Sequence, residues 1–391
     1  MNARLMTVRQ IIAVFSILTL VRATTAADAP PLHIESIIPS AHQPQETDPA
    51  TIWYDDFNGP EKPYGEKQGE LDPAESFGGS GRSLLCNYPK GSQGIGNRKI
   101  LFGDSPDHRA IARRGEKFEE IYWRIYVKHH PNWVGGGEAK LSRATSLTSD
   151  HWTQAMIAHV WSGQGDSLTI DPASGVVGDR IVTTRYNDFA NLHWLGNKPN
   201  SEFQFSSPKE GGWWVCIESY AKLNRPGQKD GVNKLWIDGK LACVRENLNW
   251  RGSYTGHGIN AVYLEAYWNQ GSPVDQKRWI DDFVVSTKPI GPVTCPRNPL
   301  LIRSEAPANP LAWQAELAMA GDTPKPVWRS KSVSGAMRLT VDSTNGEFVG
   351  DLISSNQLAS ATTYICRVRE AKASGAWNEW GSWHQSFMTE K

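Results

Sequence analysis

Short segments in which apolar and polar residues alternate dominate the sequence from about residue 50 to about residue 290. Gly, Pro, Asn and Asp separate these segments, and no helical period of more than a few turns interrupts them. A period of two places successive side chains on opposite faces of a strand. The sequence therefore predicts an all-β sandwich. The predicted strands lie near residues 51–57, 83–88, 118–128, 154–162, 180–186, 213–223, 233–237, 241–245, 260–268 and 278–286.

The N-terminal residues 1–27 have the pattern of a secretory signal peptide. Arg4 and Arg9 precede an apolar stretch, and the small residues Ala26 and Ala27 follow it. The apolar stretch is too short to span a bilayer comfortably, and no later stretch approaches the length of a membrane span. We therefore expect a secreted or periplasmic protein without a membrane span, in which residues 28–49 form a flexible N-terminal segment.

A second unit follows a proline-rich stretch near the C-terminus. The expected boundaries are 50–290 for the first sandwich, 291–308 for the linker and 309–391 for the second unit. Leu358 lies six residues before Tyr364, which resembles the tyrosine corner of fibronectin type III domains. The resemblance implies a smaller β-sandwich with a spacer or binding role. An ordinary sandwich without a ligand of its own is the alternative.

The formal charges of the chain balance, because it contains 41 Lys and Arg residues and 41 Asp and Glu residues. No overall field recruits nucleic acid or an anionic membrane, so a polyanion has to be captured by a local patch. We therefore expect no nucleic-acid partner.

The chain has five cysteines, at positions 86, 216, 243, 295 and 366. Their spacing contains no CxxC pair and gives a zinc site little support. A disulfide between Cys216 and Cys243 and free buried thiols both remain open.

Several predicted strands carry tyrosines and charged residues on one face. In the stretch "AVYLEAYWNQGSP", residues Val262, Leu264, Ala266 and Trp268 share one face, while the other face is polar. We interpret the polar faces as the lining of one groove, with a solvated outer face as the alternative. The residues on these faces are Tyr122, Arg124, Tyr126 and Lys128; Glu218, Tyr220 and Lys222; Ile157, His159 and Trp161; and Tyr263, Glu265, Tyr267 and Asn269.

Three stretches resemble the jelly-roll polysaccharide lyases, of the glucuronan-lyase-like and alginate-lyase-like kind, which have a concanavalin A-like sandwich. They are "WWVCIESYAKLNRPGQKDGVNKLWIDGKL", "GINAVYLEAYWNQGSP" and "RWIDDFVVSTKPIGP", and the resemblance covers roughly residues 50–290. The stretch "YLEAYWNQ" is similar to the tyrosine strand of some alginate lyases, with Glu265 in place of their lysine. Ile157 stands where those enzymes have the glutamine of Gln-x-His.

The resemblance implies cleavage of a uronic-acid polysaccharide by β-elimination. Such a site neutralises the uronate carboxylate, removes the C5 proton and protonates the leaving oxygen. We expect Tyr267 as base and acid, Tyr263 as the alternative phenol, and Arg124 and His159 as the groups that neutralise the carboxylate. The expected substrate-binding residues are Tyr122, Tyr126, Lys128, Lys140, Arg143, Trp161, Glu218, Tyr220, Lys222, Glu265 and Asn269.

A glycine-rich stretch and three aspartates are further candidates for binding. The stretch "GGGEAKLSRATS" at 135–146 reads as a mobile basic loop that closes over a polyanion, or as a plain surface loop. Asp56, Asp281 and Asp282 lie in strands expected to be adjacent, where the resemblance implies a structural Ca²⁺; solvated carboxylates are the alternative. We expect no organic cofactor and a monomer.

Two other functions compete with the lyase. A glycoside hydrolase of the same fold would need Glu218 and Glu265 on facing strands as an acid and a nucleophile. A lectin-like protein would bind a glycan without cleaving it, but a neutral glycan does not require Arg124, His159 and Lys222 together.

Overall fold

The computed structural model describes residues 32–39, 46–304 and 311–391. The predicted signal peptide lies outside these ranges, so the expected secretion stays a prediction. Within these ranges no helix is long and apolar enough to cross a membrane.

The described residues are almost entirely strand and loop, as the sequence predicts. The first fourteen strands are β1 Ile34–Ile37, β2 Thr51–Asp55, β3 Glu66–Lys67, β4 Glu70–Asp72, β5 Ser83–Tyr88, β6 Arg98–Phe102, β7 Ile111–Ala112, β8 Glu120–His129, β9 Lys140–Leu147, β10 Gln154–Ser162, β11 Leu168–Ser174, β12 Val176–Val177, β13 Arg180–Ile181 and β14 His193–Trp194. The others are β15 Trp214–Lys222, β16 Gly231–Ile237, β17 Lys240–Leu248, β18 Ala261–Leu264, β19 Gln276–Ser286, β20 Thr294–Cys295, β21 Leu300–Arg303, β22 Trp313–Met319, β23 Pro326–Ser330, β24 Arg338–Thr340, β25 Gly346–Phe348, β26 Thr363–Glu370 and β27 His384–Thr389. Two short 3₁₀ helices span Pro208–Glu210 and Gly350–Leu352.

Two eight-stranded sheets form a jelly-roll sandwich. Sheet I has the order β14-β11-β10-β9-β18-β6-β3, and β7 pairs with β6. Sheet II has the order β17-β16-β15-β8-β19-β5-β4, and β2 pairs with β19. Strands distant in sequence are neighbours in both sheets, so each sheet gathers side chains from most of the first unit.

The core between the two sheets confirms the predicted alternation. Val262, Leu264, Ala266 and Trp268 of the sheet I side all lie in this core. Sheet II contributes Ile121, Trp123, Ile125 and Val127. Because these residues point inward, the polar residues between them point to the outer face of their own sheet.

The second unit combines a six-stranded sheet, β20-β27-β26-β22-β23-β25, with a three-stranded sheet, β1-β21-β24. Tyr364 accepts a hydrogen bond at its hydroxyl from the Ala359 N–H at 2.9 Å, a short loop contact of the tyrosine-corner kind. The membership of this unit in the fibronectin type III family stays a prediction.

Strand β1 comes from the segment that the sequence predicts to be flexible. Ile34 and Ile37 are buried, and β1 pairs antiparallel with β21, so this part of the segment is a structural strand. Likewise β20 and β21 lie within the predicted linker 291–308.

The loop predicted at 135–146 is largely a strand. Residues Lys140–Leu147 form β9, which lies between β10 and β18 in sheet I, and the whole strand is buried. The expectation of a mobile basic loop is therefore wrong for Lys140 and Arg143. The three glycines before them suggested a loop, and the apolar residues of "KLSRATSL" fall at every third position rather than at every second, so the sequence carried no strand period here.

All five cysteines are free and buried. Cys216 lies in the core shared with the second unit, and Cys243 lies in the core between the two sheets. The two thiols therefore point to opposite faces of sheet II, which excludes the disulfide between them and confirms the free-thiol alternative.

Candidate functional site

A row of polar side chains crosses the outer face of sheet I. The antiparallel register places Asp171 opposite His159, His159 opposite Arg143, Arg143 opposite Tyr263, and Tyr263 opposite Lys99. Residues directly opposite one another share a face of the sheet. Five strands thus present one continuous polar row, which we call the groove row.

The loop between β13 and β14 is tied to the groove row by Arg143. One terminal nitrogen of Arg143 donates to the Asn187 Oδ1 at 2.9 Å, and the other donates to the Tyr186 hydroxyl. The Asn187 N–H donates in turn to the Gln154 Oε1 at 2.9 Å. This loop therefore has a fixed position and forms one wall of the groove.

Glu265 is the carboxylate at the centre of the site. Its Oε1 lies 3.1 Å from the Arg143 guanidinium, and its Oε2 lies 3.2 Å from the His159 Nε2. Burial by itself raises the pKa of Glu265, but Arg143 and His159 outweigh this effect and hold the pKa well below its usual value. Glu265 is consequently ionised at every physiological pH.

His159 is neutral near pH 7. Burial lowers the pKa of His159, Glu265 raises it, and Arg143 and Lys140 lower it further, so the net direction is downward. Its ring stacks on that of Trp161 at 4.8 Å. A neutral imidazole in this position is able to accept a proton.

Lys140 is the cation of this site without a carboxylate partner. Its side chain makes no ion pair or hydrogen bond with any residue in the described ranges, and its ammonium lies 4.4 Å from the centroid of the Tyr267 ring. Burial lowers the pKa of Lys140, Glu265 raises it, and Arg143 and Lys99 lower it. An incoming carboxylate would therefore stabilise the charged form of Lys140.

A cavity of about 310 Å³ opens above β9, β10 and β11. Its lining includes Lys140, Arg143, His159, Trp161, Asp171 and Lys198. Two exposed aromatic side chains complete the rim: Phe189 is 54% exposed and Trp194 is 39% exposed. The cavity combines cations with apolar ring faces, which suits a charged sugar chain.

Tyr263 is buried beneath the wall of the groove. Its ring stacks with Trp152 at 5.8 Å and lies edge-on to Tyr186 at 6.2 Å. Burial raises the pKa of Tyr263 well above its usual value, and Tyr186 adds to this effect. Tyr263 therefore stays protonated and does not suit the role of base, whereas Tyr267 is only half-buried.

The sequence predicts that the polar faces of all these strands line one groove. This prediction is wrong for the residues of β8 and β15. These residues lie on the outer face of sheet II, away from the groove row; they are Tyr122, Arg124, Tyr126, Lys128, Glu218, Tyr220 and Lys222. The period of two shows which side chains share a face, but it does not tell to which sheet a strand belongs.

Most of these sheet II residues contact other parts of the protein rather than an open surface. Arg124 donates to the Gly291 carbonyl at 3.1 Å, and Tyr126 accepts from the Val293 N–H at 2.9 Å. Lys128 pairs with Glu35 at 3.0 Å. They therefore hold the first unit against the linker, the N-terminal segment and the second unit.

Glu218 has a similar role and does not face Glu265. Its carboxylate accepts from the N–H groups of Ile290 and Gly291 at 2.9 and 2.8 Å. Because Glu218 belongs to sheet II, the pair of carboxylates that a hydrolase would need is not formed by these two residues.

The sequence interpretation missed several groove residues, which are Lys99, Asp171, Tyr186, Phe189, Trp194 and Lys198. Lys99 and Asp171 lie on β6 and β11, two strands that were not predicted. The stretch "RKILF" does not alternate, and its short apolar run at 100–102 was the available signal for β6. Trp194 lies in the two-residue strand β14, and Phe189 and Lys198 lie in the irregular segments on either side of it. Tyr186 falls in the predicted strand 180–186, of which only Arg180–Ile181 forms.

The predicted calcium ligands lie near one another on the other side of the sandwich. Asp56, Asp281 and Asp282 line a cavity of about 230 Å³. However, both carboxylate oxygens of Asp281 already accept backbone N–H groups, from Phe77 and from Asp282, each at 2.8 Å. In the described part of the chain, no group of three or more His, Cys, Asp or Glu residues is placed to hold a metal ion. The arrangement thus fits Ca²⁺ poorly, and calcium binding stays a prediction.

This chain is similar to known proteins in its fold. No protein-family model matches it, and no curated protein matches it in sequence. Solved structures do match. The likeness is one of fold.

Three of the similar structures are polysaccharide lyases. Alginate lyase vAL-1 from Chlorella virus is 16% identical, covers 56% of this chain and 92% of its own, and has a TM-score of 0.38. The PL-14 alginate lyase from Aplysia kurodai is 15% identical, with coverages of 61% and 99% and a TM-score of 0.41. The endo-β-1,4-glucuronan lyase from the fungus Trichoderma reesei is 11% identical, with coverages of 64% and 96% and a TM-score of 0.39.

Proposed function

We propose that this protein cleaves a uronate-containing polysaccharide by β-elimination in the groove on sheet I. The observation that carries the proposal is Lys140, a buried ammonium that lines the cavity without an anionic partner in the described ranges and contacts the ring of Tyr267. Elimination requires a positive group at the sugar carboxylate, because the neighbouring C5 proton is otherwise poorly acidic. Lys140 replaces Arg124 in this role.

Two neighbouring groups suit the proton transfers. Neutral His159 accepts the C5 proton, and the electron pair of the C5–H bond forms the C4–C5 double bond as the C4–O bond breaks. The Tyr267 hydroxyl then gives its proton to the leaving glycosidic oxygen. Solvent restores both groups. Arg143 and Glu265 position His159 and the loop wall.

The first prediction is the appearance of unsaturated uronate. Incubation of the purified protein with glucuronan, alginate, ulvan or glycosaminoglycans should produce the ultraviolet absorbance of that chromophore with at least one polymer. Tyr267→Phe and His159→Ala should each lower the rate by about 10²-fold or more, because each removes a proton-transfer group. Reducing ends without absorbance would instead indicate hydrolysis. Full activity in both variants would show that the site is wrongly placed.

The second prediction concerns pH. The pKa of His159 lies below its ordinary value of 6.5, so the base form should persist below that pH and the rate should fall only at more acidic values. The pKa of Lys140 lies below its ordinary value of 10.5, so the alkaline decline should begin below that pH. A profile of kcat/KM against pH tests both limbs. An acidic limb centred above 6.5 would contradict the assignment of His159.

Binding without cleavage is the second candidate. It is favoured by Glu265, which contacts both Arg143 and His159 and so opposes their engagement with a second carboxylate. A lectin-like protein would bind the polymer with the same groove and produce neither absorbance nor reducing ends.

A further inference from the structure

We propose that the groove selects a polysaccharide in which uronates alternate with neutral sugars, rather than a polymer of uronates alone; this inference rests on the proposed function. It follows from how charges are paired along the groove. Arg143 is paired with Glu265 at 3.1 Å, and Lys198 is paired with Asp171 at 2.6 Å. Lys140 has no such partner in the part of the chain that the structure describes.

The excess charge at the cavity matches a single carboxylate. Lys140, Arg143 and Lys198 bring three positive charges, while Asp171 and Glu265 bring two negative charges. One positive charge remains unbalanced, and it lies on a buried side chain, where an ion pair is worth more than in water. A single uronate at Lys140 balances the site.

A second uronate beside the first would meet carboxylates of the protein. Glu265 contacts His159 at 3.2 Å as well as Arg143, and Asp171 lies on the neighbouring strand β11 at the register position opposite His159. Each is already neutralised by its own cation. A sugar carboxylate on either side would therefore compete with Glu265 or Asp171 for a cation, which disfavours polymers that carry a charge on every residue.

The rim offers apolar surface where the next sugar would lie. Phe189 and Trp194 are exposed and lie with their rings 6.4 Å apart at 18°, and Trp161 is half-buried within the cavity. The Lys198 ammonium lies 4.9 Å from the Trp161 ring, so its charge is satisfied by that ring and by Asp171. Ring faces of this kind bind the C–H face of a neutral sugar.

The test compares polymers of different charge spacing. The full-length Tyr267→Phe protein is titrated calorimetrically, at equal uronate concentration and ionic strength, with hyaluronan and unsulfated chondroitin and with glucuronan and polymannuronate. The alternating polymers should bind about tenfold more tightly or better. Equal or tighter binding of the homopolymers overturns the inference.

The outcomes separate this inference from the proposed function. If the alternating polymers bind preferentially but the unmodified protein produces no chromophore from them, the selection stands and the lyase proposal fails. If the protein cleaves the homopolymers as well as the alternating ones, the lyase proposal stands and the selection fails. If none of the four polymers binds, the selection fails, and the absorbance assay with ulvan and the sulfated glycosaminoglycans decides the lyase proposal.

A charge variant tests the mechanism of selection. Asp171→Asn keeps the side-chain shape but frees Lys198, so the preference for alternating polymers should fall severalfold. Glu246 is an exposed carboxylate on β17 of sheet II, so Glu246→Gln serves as the matched control and should leave the preference unchanged. An unchanged preference in a folded Asp171→Asn protein contradicts the role of Asp171.

Discussion

Replacement of Lys140 by methionine is expected to lower kcat/KM on a uronate polysaccharide by about 10²–10³-fold, the usual effect of removing one preorganised group that stabilises developing charge. Methionine keeps an unbranched apolar stem of similar length, so the packing against Tyr267 is largely retained. The loss should appear mainly in kcat, because the carboxylate must be neutralised most strongly as the C5 proton leaves. Steady-state rates from the ultraviolet absorbance of the product measure this effect.

Lys222→Met is the matched control for this experiment. Lys222 is exposed at the end of β15 in sheet II, although the alternation of the sequence had placed it in the groove. Its replacement should leave kcat/KM within about twofold, since exposed charges far from a site have small effects at physiological salt. Equal losses in both variants would mean that bulk charge, rather than Lys140, controls the reaction.

Replacement of Glu265 by leucine is expected to destabilise the folded protein by about 3–5 kcal/mol, because it leaves the Arg143 charge buried without its carboxylate. Thermal or denaturant unfolding measures the change. The surface pair of the exposed Glu246 and the half-buried Lys234, at 3.6 Å, provides the control: Glu246→Leu should cost no more than about 1 kcal/mol. The double variant Arg143→Met/Glu265→Leu should recover part of the loss, since the Arg143 charge is then removed together with its carboxylate.

The stability lost in Glu265→Leu should depend on pH. The folded-state pKa of Glu265 lies well below its ordinary value of 4.5, so its contribution to stability is complete above about that pH. The contribution is lost as the pH falls from there toward the folded-state pKa. The stability difference between the unmodified protein and Glu265→Leu should therefore shrink on acidification. A difference that grows at low pH would contradict the ion pairs.

The strand alternation of the core could be predicted from the sequence, because burial imposes a strict period of two. Every second residue points inward as the sequence predicts, both from Val262 to Trp268 and from Ile121 to Val127. His159, Trp161, Tyr263 and Glu265 were assigned correctly to the polar face of their strands for the same reason.

The assembly of the site could not be predicted in the same way. Tyr122, Arg124 and Tyr126 have the same polar pattern as the groove strands, yet their face packs against another part of the chain. Only the order of strands in the sheets distinguishes a face that meets solvent from one that meets a second unit, and local sequence does not encode that order. Lys140 was named as a binding residue, but its importance depends on which other cations have carboxylate partners.

Strand β1 joins the N-terminal segment to the second unit. Ile34 pairs with Arg303, and the side of this strand that faces the second unit is buried. The three-stranded sheet of the second unit is thus incomplete until residue 340 has been made, because its third strand β24 ends there. A long closed loop of this kind carries a large entropy cost and forms late in folding. Strand β1 therefore waits for β21 and β24 before it finds its place, and a tag fused directly ahead of residue 34 would sit beside the second unit.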